Sequence, residues 1–254
     1  MVDASPGEKS KKYCRDAHVL KSGRFRRVVG GEFAEQKEFP HMVAVRYDES
    51  EGMTFVCGGS LITNKYVLTS ASCVTDFIPT YVKLGDVDLH EGIELKIRRT
   101  IKHPEYNRAS NNIGLIELES SVEFNENVSP ACLNVERDID DGSFIAAGWG
   151  KTETGKTSKL KKITLEEYDG KDCAKRLRLP VNSDKEICAY GDKKDTCAGD
   201  SGGPLQRLNP DYVSTYDIFG ITSYGPSPCG AQSIPSVYTR VSSYIGWIES
   251  IVFA

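Results

Sequence analysis

The sequence predicts an all-β fold, either a closed barrel or a sandwich. From Val28 onward, short runs rich in β-branched and aromatic residues alternate with turn residues, which is the pattern of many short strands. The chain has 254 residues, 39% of them hydrophobic, and all-β domains of this length often form one unit. The predicted strands are 41–47, 54–63, 65–71, 81–85, 94–103, 113–118, 144–150, 161–168, 186–190, 203–208, 216–224 and 236–241.

The two ends of the chain differ from this pattern. Residues 1–27 are polar, rich in Lys and Arg and without apolar periodicity, so we expect a propeptide or linker there and one domain over 28–254. Near the C-terminus, serines precede apolar residues at helical spacing, which predicts one amphipathic helix with a serine N-cap. Those apolar residues are Tyr244, Ile248, Ile251 and Val252.

Composition and charge exclude several classes of function. The formal net charge is −4 at pH 7, which gives no support to a nucleic-acid partner. No apolar run approaches the roughly 18–20 residues that span a bilayer, so we expect no transmembrane segment.

The cysteines indicate the compartment. Eight cysteines without a C-x-x-C pair, beside only four histidines, predict disulfides rather than zinc ligands or catalytic thiols. Disulfides form in oxidising compartments, so we expect a secreted, extracellular protein that uses no metal and no cofactor. The first residues, MVDASPGEKSKKYC, lack the apolar segment of a secretory signal, which we interpret as the start of a trimmed chain.

The stretch DTCAGDSGGPL, residues 195–205, carries the chemistry. It closely resembles the nucleophile segment of chymotrypsin-fold serine proteases. By that resemblance Ser201 presents the hydroxyl, and the backbone N–H groups of Gly199 and Ser201 form an oxyanion hole. Gly202 and Gly203 allow a close backbone approach that a Cβ would block. The alternative interpretation is a glycine-rich turn beside a disulfide.

Other landmarks of the same family follow in order. They are RVVGG from Arg27, EFPHMVAV, CGGSLI, HPEYN, AAGWG and SVYTRV. The resemblance implies two six-stranded antiparallel β-barrels with a C-terminal helix and a cleft between the barrels. IKHPEYN and ITSYGPSPCGAQSIPSVYTRV are most similar to arthropod clip-domain proteases of immune and developmental cascades.

The resemblance also implies an activation cleavage and a disulfide set. An upstream trypsin-like activator would cut after Arg27, and the freed amino group of Val28 would pair with Asp200. Cleavage there leaves seven cysteines in the domain, and this odd number requires a partner outside it, which Cys14 supplies. The implied pairs are Cys14–Cys132, Cys57–Cys73, Cys173–Cys188 and Cys197–Cys229.

Two of the three catalytic positions depart from the family. VLTSASC stands where the family reads VLTAAHC, so the general base is replaced by Ser72. NNIGL stands where the family reads NDIAL, so the acid is replaced by Asn112. The sequence register places none of the four histidines near Ser201. They are His18, His41, His90 and His103.

These replacements predict a pseudoprotease. A serine hydroxyl without an adjacent base is a poor nucleophile at neutral pH, and losing the histidine of a comparable triad costs on the order of 10⁶ in kcat. We therefore expect a catalytically inactive binding cofactor or regulator in an extracellular proteolytic cascade, whose partners are cascade proteases or their substrates. The alternative is residual or substrate-assisted endopeptidase activity through Ser201. Engineered inactivation is a third reading, less favoured because Ser236 departs as well.

The implied specificity pocket is only partly like the family's. Asp195 matches the residue that pairs with Arg or Lys side chains, and Gly225 matches the open wall. The opposite wall of the pocket carries Ser236 instead of glycine, and its side chain should narrow the specificity pocket. The alternative is that Asp195 only pairs with a nearby group of this chain and does not recognise an Arg or Lys side chain.

Several surface features have two interpretations. The basic loop 151–162 and the acidic loop 48–52 are either solvated faces or docking sites for oppositely charged partners. Asn127 begins an N-x-S sequon weakened by the following proline, so glycosylation there is an open expectation. We expect no calcium site in the shortened loop that holds Asp86, Asp88 and Glu91.

Overall fold

The computed structural model describes residues 5–18, 32–49, 52–75, 78–108, 110–138, 142–150, 157–191, 200–226 and 234–254. Strands dominate it. They are β1 (Glu32–Phe33), β2 (Met42–Glu49), β3 (Gly52–Leu61), β4 (Tyr66–Thr69), β5 (Tyr81–Leu84), β6 (Ile93–Lys102), β7 (Gly114–Leu118), β8 (Cys132–Leu133), β9 (Phe144–Gly148), β10 (Lys161–Tyr168), β11 (Glu186–Tyr190), β12 (Pro204–Leu208), β13 (Tyr216–Tyr224) and β14 (Ser236–Arg240). The α-helices are α1 (Glu8–Ala17), α2 (Gly170–Leu177) and α3 (Ile245–Val252).

The first barrel closes in the order β2-β3-β4-β7-β6-β5, with every pair antiparallel. Alternate residues point inward and fill it, because side chains of a strand alternate between its two faces. Val43, Val45, Val82, Ile116 and Leu118 are among these core residues and are completely shielded from solvent.

The second barrel is the ring β9-β10-β11-β14-β13-β12, which the pairing of β12 with β9 closes. Phe144, Leu165, Ile187, Leu205 and Tyr238 fill its interior. The short strands β1 and β8 add to the outside, on β10 and β13 respectively. The predicted fold of two six-stranded antiparallel barrels with a C-terminal helix is therefore confirmed.

A separate apolar cluster joins the barrels. Met42 and Ala44 of β2 pack with Ala147 of β9, beside Trp149 and Tyr216. Because both barrels contribute side chains to it, this cluster fixes the two barrels against each other, as burial of apolar area does in any domain core. Three loops meet between the two barrels: the loop that follows β4, the loop that precedes β7 and the loop that precedes β12.

No helix was predicted in residues 1–27, but Glu8–Ala17 forms α1. The local sequence gives little signal because the helix is stabilised from outside. Glu249 of α3 accepts hydrogen bonds from the backbone N–H groups of Gly7 at 3.1 Å and Ser10 at 2.8 Å. A carboxylate at this end satisfies unpaired N–H groups and complements the helix dipole. The Cys14–Cys132 disulfide then ties α1 to β8.

The serine N-cap predicted for the C-terminal helix was also wrong. A 3₁₀ turn, Val241–Tyr244, precedes α3, and Tyr244 occupies the N-cap without a side-chain cap hydrogen bond. The apolar face of α3 packs as the spacing predicted, with Ile245 and Ile248 buried against the outside of the first barrel. No helix in the described part of the chain has both the length and the apolar character needed to cross a bilayer.

Candidate functional site

Ser72 and Asn112 meet at the junction of the barrels. Ser72 begins a 3₁₀ turn, Ser72–Val74, directly after β4. Its backbone N–H donates to the side-chain Oδ1 of Asn112 at 3.0 Å. Its hydroxyl lies 2.9 Å from the hydroxyl of Ser70. Residues forty positions apart in sequence thus share one hydrogen-bonded site.

The other end of the Asn112 amide is equally engaged. Nδ2 donates to the hydroxyl of Ser223 at 2.8 Å, and the Asn112 carbonyl accepts from the Thr239 hydroxyl at 2.9 Å. Ser223 and Thr239 belong to β13 and β14 of the second barrel. Asn112 therefore bridges a loop of the first barrel to two strands of the second.

Asn111 sets the direction of this loop. Its φ is 55°, in the left-handed region that asparagine tolerates better than most residues. Its Oδ1 accepts from Lys185 Nζ at 2.9 Å and from the Tyr244 hydroxyl at 3.0 Å, and its Nδ2 donates to the Glu105 carbonyl at 3.0 Å. These bonds hold the turn that presents Asn112. The role of Asn111 was not predicted from the sequence, nor was that of Ser223. The available signal for the turn was the pair of asparagines in NNIGL.

Ser201 lies on the opposite side of the same junction, half-buried. Its carbonyl accepts from the Gly58 N–H at 2.8 Å, and the next N–H, of Gly202, donates to the Thr222 carbonyl at 3.0 Å. Gly202 has φ 80°, and a Cβ there would clash with Thr69 and the Gly58 carbonyl at 2.5 Å. Only glycine permits this approach to the strand that leads to Ser72.

Asp200 is packed into a recess formed by two glycines. Gly150 N–H donates to Asp200 Oδ1 at 2.9 Å, and a Cβ on Gly150 would lie 2.6 Å from the carboxylate. A Cβ on Gly148 would overlap it as well. The glycines of AAGWG thus allow the carboxylate to lie against the backbone, a reason that the sequence alone did not reveal.

The four histidines pack elsewhere. His41 is buried in the inter-barrel cluster, 5.4 Å from the ring of Tyr216, and burial lowers its pKa to about 3. Tyr216 and Ser223 lie at opposite ends of β13, about 20 Å apart at strand spacing. His18 contacts the Thr215 hydroxyl at 3.2 Å, next to Tyr216.

The remaining two histidines are also committed to other contacts. His103 stacks against Tyr244 and Trp247 at 5.3 and 5.2 Å, with burial lowering its pKa. His90 is exposed, and its backbone N–H donates to the Asp88 carboxylate.

A groove opens beside Asn112. It encloses about 180 Å³, and its lining includes Asn112, Ser223, Tyr224, Lys185 and Glu186. The Tyr224 hydroxyl donates to Glu186 Oε1 at 3.2 Å. Burial raises the pKa of the Glu186 carboxyl, and burial together with the Glu186 charge raises that of the Tyr224 phenol. The groove has room for one or two side chains of a bound peptide, less than a drug-sized ligand needs.

The geometry agrees with what sequence comparison finds. A family model for trypsin matches residues 28–248.

The chain belongs to the trypsin family.

Individual relatives narrow the resemblance. The chain is 35% identical to CLIP domain-containing serine protease B4 of Anopheles gambiae, over 89% of this chain and 71% of that protein. It is 37% identical to Melanization protease 1 of Drosophila melanogaster, over 90% of this chain and 66% of that protein. The crystal structure of the Drosophila Grass clip serine protease of the Toll pathway superposes with a TM-score of 0.81 at 27% identity, covering 95% of this chain and 77% of that one. The predicted resemblance to arthropod clip-domain proteases is confirmed.

Three of the disulfides implied by the trypsin-family resemblance are present. Cys14–Cys132, Cys57–Cys73 and Cys173–Cys188 are bonded. The second of these fixes the turn that carries Ser72 to β3, next to Gly58. The fourth implied pair, Cys197–Cys229, lies outside the described residues.

Two of the residues predicted to line the specificity pocket lie against each other. Ser236 is buried at the start of β14, and its hydroxyl lies against Gly225, where an added Cβ would collide with it. Four further predicted residues lie outside the described part of the chain: Asp195 of the pocket, Gly199 of the oxyanion hole, and the cleavage pair Arg27 and Val28.

The remaining predicted sites are surface features. Asn127 is half-buried and follows Asn125, whose side chain accepts from the Asn127 N–H at 2.8 Å. Asp86 and Asp88 accept hydrogen bonds from Gln36 and from backbone N–H groups, at 2.8 to 3.0 Å. Of the loops 48–52 and 151–162, residues 50, 51 and 151–156 fall outside the described residues.

Proposed function

We propose that this trypsin-family chain is a non-catalytic serine protease homologue that acts by binding, as a cofactor or regulator in an extracellular proteolytic cascade. The observation that carries the proposal is the hydrogen-bonded set of Ser72, Asn112 and Ser223 beside Ser201. Hydroxyl and amide groups do not take up a proton near neutral pH, so this set offers Ser201 no general base. The imidazoles of three histidines contact other side chains rather than Ser201: His18 contacts Thr215, His41 contacts Tyr216 and His103 contacts Tyr244.

The groove supports a binding role. Asn112 and Ser223 line it, and both carry polar side chains. A peptide segment of a cascade protease or of its substrate would find hydrogen-bond partners there without being cleaved. Several relatives carry names from such cascades, including Phenoloxidase-activating factor 3 of Holotrichia diomphalia at 37% identity. Their cascades suggest arthropod innate immunity as the setting for this chain.

Secretion is part of the proposal. The three disulfides of the described residues would persist in an oxidising compartment and not in a reducing cytosol. We further propose that a trypsin-like activator cuts at Arg27–Val28 and that Asn127 is a glycosylation acceptor.

A fluorophosphonate probe tests the inactivity directly. The protein is first cut by an immobilised trypsin-like protease, which is then removed. We expect labelling no faster than in the Ser201→Ala variant, which is the matched background, and no cleavage of arginyl peptides. Labelling that approaches the rate of trypsin and disappears in Ser201→Ala would overturn the proposal. It would favour activity through Ser201 with a base supplied by the substrate.

A further inference from the structure

A buried carboxylate on the outer face of the first barrel attracts three cations. Glu117 on β7 is 4% exposed. Its oxygens lie 2.6 Å from Arg99 Nε, 3.2 Å from an Arg98 terminal nitrogen and 3.7 Å from Lys65 Nζ. One negative charge thus holds three positive ones on a single surface.

An irregularity in β6 produces this arrangement. The pairing register of β6 with β7 shifts between Ile97 and Arg99, so Arg98 is an extra residue, as in a β-bulge. In a regular strand, consecutive side chains point to opposite faces. Here both arginines reach the same carboxylate while Ile97 packs into the barrel.

The surface carries a local excess of positive charge. Lys96 lies between the inward-facing Leu95 and Ile97, so it points outward beside the arginines. We call Lys65, Lys96, Arg98 and Arg99 the β6 basic surface. Glu94, two residues before Lys96, is paired with Arg46. Two further carboxylates oppose the four cations, leaving a net charge of about +2, whereas the whole chain has −4. They are Glu117 and Glu119, whose N–H donates to the Lys96 carbonyl at 2.9 Å.

The cations remain accessible. The side chains of Arg98 and Arg99 are 60% and 58% exposed although both contact Glu117. A guanidinium carries five N–H donors, and Glu117 engages a terminal nitrogen of Arg98 and Nε of Arg99. Arg99 also bonds the Tyr66 side chain. The exposure of both guanidinium groups leaves other donors accessible to solvent, and the fork geometry of Arg suits bidentate contact with an oxyanion.

Cations dominate the exposed groups of this surface. Tyr66 and Tyr81, the cross-strand neighbours of Glu117 and Lys96, are half-buried beside them. Among the described residues, the exposed large hydrophobic side chain nearest in sequence is Ile93, three residues before Lys96. The four cations therefore make electrostatic recognition the main form of binding expected here.

We propose that the β6 basic surface binds a sulfated polysaccharide. Such polymers are the anions of highest charge density in an oxidising, extracellular setting. The proposal therefore rests on one part of the proposed function, the secretion of the chain. The inactivity of Ser201 is not needed, so the two proposals fail independently. When basic residues neutralise the charges of a linear polyanion, the logarithm of the binding constant falls linearly with the logarithm of the salt concentration.

Binding of a fluorescein-labelled heparin oligosaccharide to the full chain tests the proposal, with Kd measured by anisotropy across a salt series. The variant is Lys96→Gln/Arg98→Gln, which leaves Arg99 to compensate the buried Glu117. One basic residue at an anionic surface contributes about fivefold, so we expect the double variant to weaken binding about 25-fold and to lower the salt slope by about two.

The matched control is Lys171→Gln/Lys175→Gln, two exposed lysines of α2 with the same change of net charge. We expect its Kd to stay within twofold of the wild type. Equal weakening in both variants, or no heparin binding at low salt, would refute the proposal. So would tighter binding of polyglutamate than of heparin, because the occupant would then be an acidic protein segment. Melting temperatures equal to that of the wild type establish that each variant is folded.

Discussion

Asn112 Nδ2 donates a hydrogen bond to the Ser223 hydroxyl at 2.8 Å. Because Oδ1 of the same amide accepts from the Ser72 N–H, both ends of the group are fixed. An imidazole placed at position 72 would meet the remaining N–H of Nδ2. It would therefore be held as the tautomer that cannot accept a proton from Ser201.

This geometry predicts that restoring the histidine alone fails. In the trypsin template, an amide in place of the acid costs about 10⁴ in kcat through the wrong tautomer. We expect Ser72→His to give almost no cleavage of arginyl peptides, and Ser72→His/Asn112→Asp to give cleavage at least about 10³-fold faster. Steady-state kinetics of the activated variants measure this, with Ser201→Ala added to the double variant as the control. A folded, cleaved double variant that stays inert would show that the specificity pocket is also non-functional.

The contact of Ser236 with Gly225 predicts a restricted specificity pocket. Replacing Ser236 by glycine removes the Cβ and hydroxyl that lie against Gly225. We expect Ser236→Gly to bind p-aminobenzamidine, an arginine mimic, at least about tenfold more tightly, a gain of the size that relief of crowding in a packed site typically gives. Ser236→Thr should bind it more weakly than the wild type. Equal fluorescence titrations for all three proteins would argue against this wall as the restriction.

The barrels were predictable because their signals are local. Period-2 patterning and turn residues give each strand, and the motif order gives their arrangement. The helix α1 was not predictable, because its two capping bonds come from Glu249, more than 230 residues away. Its polar sequence looks like a tail unless that partner is known. The helix α2 was missed too, although Asp169 caps it through the N–H groups of Lys171 and Asp172.

Prediction of the site was uneven for a similar reason. Ser72, Asn112 and Ser201 could be assigned to positions because each lies within a recognisable motif. Ser223 was missed because a serine near the end of a strand has no distinctive local pattern, and its role depends on contact with a residue 111 positions away. Gly148 was quoted only as part of a motif, since its packing against Asp200 becomes visible only in three dimensions.

The capping of α1 predicts a role for Glu249 in stability. Glu249→Ala removes the acceptor of the Gly7 and Ser10 N–H groups, and loss of a cap costs about 1–2 kcal/mol. We expect urea unfolding to show a decrease of that size in the free energy of unfolding. Ser250→Ala, an exposed neighbour on the same helix, is the control and should change it by less than about 0.5 kcal/mol. An unchanged value for Glu249→Ala would mean that the disulfide and contacts such as that of Tyr13 with Phe253 hold α1 without the cap.

The buried His41 predicts weaker stability in acid. Burial lowers its folded pKa to about 3, with the nearby His18 contributing, while an unfolded histidine titrates near 6.5. Below pH 6.5 the unfolded state therefore binds more protons, and stability falls as the pH falls toward 3. At pH 5 this single group should cost about 2 kcal/mol relative to pH 7.

Replacing the imidazole tests this directly. We expect the free energy of unfolding of His41→Leu to drop between pH 7 and pH 5 by about 2 kcal/mol less than that of the wild type. His18 and His103, whose pKa values burial also lowers, remain in both proteins and cancel in the comparison. Parallel pH profiles for the two proteins would exclude His41 as the acid-sensitive group.

Asp200 makes cleavage at Arg27–Val28 matter even without catalysis. Its carboxylate lies in the recess at Gly148 and Gly150, half-buried, and is expected to receive the freed amino group of Val28. A charge-assisted hydrogen bond from the freed ammonium to this carboxylate would stabilise the arrangement in which the recess is formed, so we expect cleavage to order the loops that surround it. We expect the cut protein to bind p-aminobenzamidine more tightly than the uncut form, with slower hydrogen exchange around residues 195–203 and Gly225.

Two variants separate this ordering from other effects of the cut. Arg27→Gln cannot be cleaved there and should keep the affinity of the uncut form after exposure to the activating protease. Asp200→Asn can be cleaved but lacks the charged acceptor, so cutting it should leave affinity and hydrogen exchange unchanged. If cut Asp200→Asn tightened its binding as much as the cut wild type, the Val28–Asp200 ion pair would not be the cause. Cleavage would then act through removal of the preceding segment from the pocket.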